Sequence, residues 1–112
     1  MRATLEIPAE VETFRDVRAR VIIEKVRDID TRAEVVFEQF FDRIAHDQGE
    51  RTCLACELST DHLVGRCDLF ARVHVDLDGD GQISRGDLLT QQSCRLPQGA
   101  HEWLIPVEKV GG

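Results

Sequence analysis

Apolar and polar residues alternate in step over several stretches of this chain, and a period of two marks a half-buried β-strand. From position 17 to 23, Val17, Ala19, Val21 and Ile23 share one face, with mostly polar or basic residues between them. The pattern is cleaner from 69 to 77. There Leu69, Ala71, Val73, Val75 and Leu77 face one way, while Arg72, His74 and Asp76 face the other. Near the end, Trp103, Ile105 and Val107 alternate with polar or edge positions. Pro106 places this last strand at a sheet edge, where a missing N–H costs nothing.

One stretch reads two ways. Thr31 and Glu34 have capping-box spacing, and Ala33, Val36, Phe37, Phe40, Phe41 and Ile44 recur at helical intervals. Against a helix, Val35, Val36, Phe37, Phe40 and Phe41 are strong strand formers. The pattern therefore predicts a mainly β domain, with an α+β arrangement carrying a helix at 31–46 as the alternative. No internal repeat, low-complexity tract or long linker divides the chain, so residues 1–112 are read as one domain.

The residues after the cleanest strand carry the chemistry. Positions 76–87 read Asp-Leu-Asp-Gly-Asp-Gly-Gln-Ile-Ser-Arg-Gly-Asp, which matches a twelve-position calcium loop. Asp76, Asp78 and Asp80 occupy positions 1, 3 and 5 and offer carboxylate oxygens. Gly81 fills position 6, where the chain must turn sharply. Gln82 at position 7 offers its backbone carbonyl, and Ser84 at position 9 binds directly or through water. Asp87 at position 12 closes the shell. A hard cation takes six to eight oxygens at about 2.3–2.6 Å, and alternate residues of a tight loop can all point inward. Aspartate at position 12 is shorter than the usual glutamate and reaches the ion less easily with both oxygens. Weaker calcium binding, or tolerance of magnesium, is expected. The metal ligands assigned from sequence are thus Asp76, Asp78, Asp80, Gln82, Ser84 and Asp87.

The flanks decide what such a loop does. A signalling EF-hand has a helix on each side and works in pairs. Here a strand runs in, no second loop exists, and Leu88, Thr90, Gln92, Cys94 and Leu96 align as a returning strand. A loop that bridges two strands staples their ends, so calcium is expected to stabilise rather than signal.

Charge narrows the partners. Asp and Glu number 21 against 14 Lys and Arg, a formal charge of -7. This balance repels a phosphate backbone, and no basic stripe offsets it, so nucleic acid is excluded as the expected partner. No apolar run approaches the roughly 20 residues that span a bilayer. The opening residues lack the apolar core of a secretory signal, which reads as cytoplasmic, or as cell envelope if a leader has been removed. Without export, Cys53, Cys56, Cys67 and Cys94 are expected as reduced thiols. The Cys53 and Cys56 spacing fits half a zinc site, but no Gly forms a knuckle. On a strand, residues three apart point to opposite faces.

Two stretches resemble known families. Asp76 to Leu89 is similar to a dockerin half-repeat, whose loops also close with Asp. Over a longer span, Arg20-Val-Ile-Ile-Glu-Lys-Val-Arg-Asp-Ile-Asp-Thr-Arg-Ala33 resembles the opening strand and turn of the YbaY-like lipoproteins. These are relatives of the YscW-type pilotins of bacterial type III secretion. Residues 70–76 and 86–93 resemble their later hairpin. That resemblance implies a small antiparallel, immunoglobulin-like β-sandwich, a strand at 34–41 and, for the pilotins, a secretin-chaperone role. The chain departs from the family in having no lipoprotein signal and no N-terminal lipid-acceptor Cys. The leading functional expectation is a non-catalytic, calcium-stabilised domain that binds another protein through a sheet edge or face. The rivals are a Cys/His enzyme drawing on Cys67 and one of His46, His62, His74 or His101, and a calcium sensor. Nothing in the spacing nominates a catalytic pair.

Overall fold

The computed structural model describes residues 1–26, 32–58, 68–77, 79, 87–90, 94–96 and 102–109. These residues form nine strands and no helix: β1 (Arg2–Ile7), β2 (Phe14–Val26), β3 (Glu34–His46), β4 (Thr52–Glu57), β5 (Asp68–Asp76), β6 (Leu88–Leu89), β7 (Cys94–Arg95), β8 (Glu102–Pro106) and β9 (Glu108–Lys109). They build two sheets. The smaller runs β4-β1-β8, and the larger runs β3-β2-β5-β6-β9, with β7 also paired to β5.

Alternation explains how the sheets face each other. Val17, Ala19, Val21 and Ile23 of β2, with Leu69, Ala71, Val73 and Val75 of β5, are all buried. They meet Ala3, Leu5 and Ile7 of β1 and Trp103 and Ile105 of β8 in one apolar cluster. Trp103 is the bulkiest fully buried side chain, and its indole nitrogen finds no hydrogen-bond partner among the described residues. The mainly β reading holds, and each face falls where the period of two put it.

Three details bear on the expectations. The strand expected at 34–41 forms, and the alternative helix at 31–46 does not. Residues 34–46 are β3, whose register against β2 (Arg20 opposite Phe40, Ile23 opposite Phe37) overrides a local helical period; Thr31, the expected cap, lies outside the described residues. Secondly, the sheets are not antiparallel throughout, because β1 and β8 pair in parallel with Leu5 opposite Ile105. Thirdly, the strand returning after the loop is broken. Leu88 opposes Val75, but Cys94 opposes Ala71, so six residues of advance on one side match four on the other. Gln92 lies outside the described residues.

The long β2–β3 pair carries three register shifts, of which the first two compensate and the third, between Ile23 and Glu24, adds a residue to β3. Phe14 opposes His46 and Val17 opposes Ile44, so β2 carries an extra residue. Ala19 then opposes Phe41, so β3 carries the next one. Asp16 and Arg43 lie at these irregularities with φ of 59° and 55°, in the left-handed region that disfavours side chains. Just beyond, Gly49 adopts φ 97° in the turn from β3 to β4 and donates its N–H to the Ala9 carbonyl at 2.7 Å. At the opposite edge the chain leaves β8 and crosses to the larger sheet as β9. Val107, buried at the crossing, donates to the Glu6 carbonyl at 3.2 Å.

Candidate metal centre at the neck of the acidic loop

Strand register alone assembles the site. In an antiparallel pair, opposed residues share a face and successive residues alternate. Val75 and Leu88 oppose each other and both point into the core. One step outward, Asp76 and Asp87 must therefore share the other face. His74 joins them there, two residues before Asp76 on the same strand. The ligand atoms of His74, Asp76 and Asp87 lie within 4.8 Å of one another.

Hydrogen bonds fix this arrangement. His74 meets Asp87 through Nε2 and Oδ2 at 2.8 Å, with the imidazole as donor, since an ionised carboxylate only accepts. The Leu77 N–H donates to the other Asp87 oxygen at 3.0 Å. The last residue of the loop thus holds the second residue by its backbone. Asp76 Oδ1 accepts from the Gly79 N–H at 3.1 Å, and Gly79 turns the chain with φ 73°, a conformation that glycine adopts without penalty. Asp87 is only 1% exposed, whereas Asp76 and His74 are half-buried. Two carboxylates this close, one shut off from water, form a group of oxygens that could hold a cation.

Of the six residues assigned from sequence, the structure brings Asp76 and Asp87 together at the neck. Asp78, Asp80, Gln82 and Ser84 lie outside the described residues, as does Gly81. His74 was not among the assigned ligands. Its signal was present in the alternation, since it shares the outward face of its strand with Asp76. Were an ion to displace the proton that Nε2 shares with Asp87, an imidazole nitrogen beside two carboxylates would be a softer donor set than the oxygens calcium prefers, one that suits ions such as Mn²⁺ or Zn²⁺ as well.

Among the described residues, the other candidate groups do not gather into a site. Cys53 is exposed and Cys56 buried, on opposite faces of β4. Burial raises the Cys56 thiol above its ordinary pKa, with the nearby Glu57 charge adding to the effect. Its Sγ points to the Ala3 carbonyl at 3.5 Å. His46 is buried, with Nδ1 at 2.7 Å from the Thr52 hydroxyl and Nε2 at 3.0 Å from the Val11 carbonyl. Cys67, His62 and His101 lie outside the described residues.

No protein-family model matches the chain, and a search of curated proteins finds no match. Among the described residues no helix is long and apolar enough to cross a membrane.

Proposed function

We propose that this protein is a non-catalytic binding domain whose loop 76–87 takes a calcium ion and thereby ties together the ends of a β-hairpin. The observation that carries this reading is the meeting of loop positions 1 and 12. Asp76 and Asp87 approach at the strand ends with His74 beside them, their ligand atoms within 4.8 Å of one another and the Asp87 carboxylate buried. Both ends of the loop rest on paired strands, which leaves little travel for a sensor's opening motion. The hairpin belongs to the larger sheet, whose faces and edges are the surface offered to a protein partner. A chaperone-like role, as in the pilotins that the sequence resembles, is the form of partner binding proposed.

Thermal unfolding in millimolar calcium and in chelator tests the reading. Free calcium at a hundred times Kd adds about 2.7 kcal/mol, enough to raise the midpoint of a domain this size by roughly ten degrees. A midpoint that ignores calcium overturns it. His74 supports a second reading, in which a borderline ion is the resident metal. Stabilisation by manganese or zinc well below the calcium concentration required, and its loss in His74→Ala, would replace calcium with that ion.

A further inference from the structure

Beside the loop neck lies a cleft of about 620 Å³, within the usual range for ligand sites. The turn from β1 to β2 forms one wall, and the crossing from β8 to β9 forms part of the other. Phe14, Leu88 and Val107 give it an apolar floor, and Glu10, Glu12 and Glu108 stand exposed at its rim. Lys109 also borders it, but three glutamates against one lysine leave the rim acidic.

Several exposed carboxylates have no cationic partner among the described residues, Glu34 and Glu102 among them, but Glu10, Glu12 and Glu108 stand together at an apolar cleft. Across the sheets, arginines already face carboxylates: Arg2 with Glu57, Arg18 with Asp42, Arg20 with Glu38, Arg51 with Glu6, Arg72 with Glu24 and Arg95 with Asp68. Among the described residues, no cation pairs with the side chains of Glu10, Glu12 or Glu108. We infer that the cleft receives a basic side chain, lysine or arginine, presented by a partner polypeptide. Such a side chain lays its methylene stem on the apolar floor and brings its charged head to the glutamates. Apolar residues flanking it in the partner fit the same floor. This inference rests on the protein-partner half of the reading above and does not require the loop to hold metal.

The test uses a fluorescein-labelled pentapeptide of alternating leucine and lysine, followed by anisotropy in calcium and in chelator. The double variant Glu10→Gln/Glu12→Gln weakens binding by about tenfold, equivalent to about 1.4 kcal/mol. Glu34→Gln/Glu102→Gln carries the same change of net charge on other strands and changes Kd less than about twofold. Amide shifts on binding centre on residues 9–14 and 107–109. Equal weakening by both double variants, which marks attraction to an acidic surface in general, overturns the inference. Shifts confined to another face also overturn it while leaving a protein partner in place. Cadaverine binding at the same residues as tightly as the peptide overturns the polypeptide assignment.

Discussion

His46 and Asp87 are both almost wholly removed from solvent, and both are hydrogen-bonded, yet their surroundings make different demands. The Val11 carbonyl can only accept, so His46 Nε2 donates to it, while Nδ1 pairs with the Thr52 hydroxyl. Phe14 stacks on the ring at 5.5 Å between centroids. Both nitrogens of a ring so held are satisfied. Asp87 also has two donors, but it is an acid with a second carboxylate beside it. Its site is the one for which a cation is proposed, whereas the His46 site holds only neutral partners and a stacked ring. The two lie close together, since Val11 and Phe14 beside His46 line the same cleft as Asp87.

The largest expected effect tests the His46 site. His46→Ala removes a buried ring and strands the Val11 carbonyl, costing about 2–4 kcal/mol in urea unfolding. Calcium dependence is unchanged in this variant, because the loop neck is untouched. A loss below about 1 kcal/mol would mean that water fills the site, and the contrast with Asp87 would weaken.

Next comes the Asp87 site. Asp87→Asn keeps the shape and one acceptor oxygen while removing the charge. Without metal, two effects oppose: the weakened bond to His74 and the relieved repulsion with Asp76. Stability in chelator therefore changes by less than about 1 kcal/mol. In calcium the variant forfeits the metal's contribution, about 2.7 kcal/mol at a hundred times Kd. Paired melts with and without calcium measure both numbers. A large loss in chelator would make Asp87 a structural residue like His46.

How much of this contrast could be read from the chain varies with the kind of information. The outward face of β5 was legible, because period-two alternation is local, and the loop pattern placed Asp76 and Asp87 at its ends. β1 was not read as a strand, although Ala3, Leu5 and Ile7 alternate and are buried; three apolar positions beside the chain end are a weak signal. The parallel pairing of β1 with β8 was hidden, since orientation depends on residues roughly a hundred positions apart. The fate of 31–46 turned on its partner. β2 supplies a full ladder of backbone hydrogen bonds, and Val35 and Phe40 remain exposed where a core-facing helix would have buried an apolar stripe. His74 needed one inference more: that a residue sharing a face with a metal ligand is itself a candidate.

A smaller effect probes how backbone shape delivers His46 to its pocket. Arg43 holds φ 55° at the bulge between Ile44 and Phe41, three residues before His46. Glycine adopts that conformation freely, so Arg43→Gly stabilises by up to about 1 kcal/mol, less the entropy that glycine adds to the unfolded chain. Arg43→Val moves the midpoint the other way, because a β-branched side chain fits this region worst. If both variants destabilised equally, the strain would lie elsewhere and the bulges would not be what fixes the His46 end.

The smallest effect belongs to charges that are already paired in water. Arg20 bonds Glu38 Oε2 through two nitrogens, at 3.2 and 2.6 Å, and its guanidinium lies 5.8 Å from the centre of the Phe40 ring. Both side chains remain well exposed, 48% and 39%, so solvent and salt screen the pair. Arg20→Gln, which keeps most of the stem, costs less than about 1 kcal/mol in low salt, and the cost shrinks further in high salt. Denaturant unfolding at two ionic strengths supplies the measurement. This pair is the needed control for Asp87, since it shows what a carboxylate contributes when its counter-charge is a side chain in solvent. Should the loss exceed about 2 kcal/mol and persist in salt, exposed pairs here would matter as much as buried charge. Burial could then no longer be the reason for proposing a cation at the loop neck rather than on the sheet face.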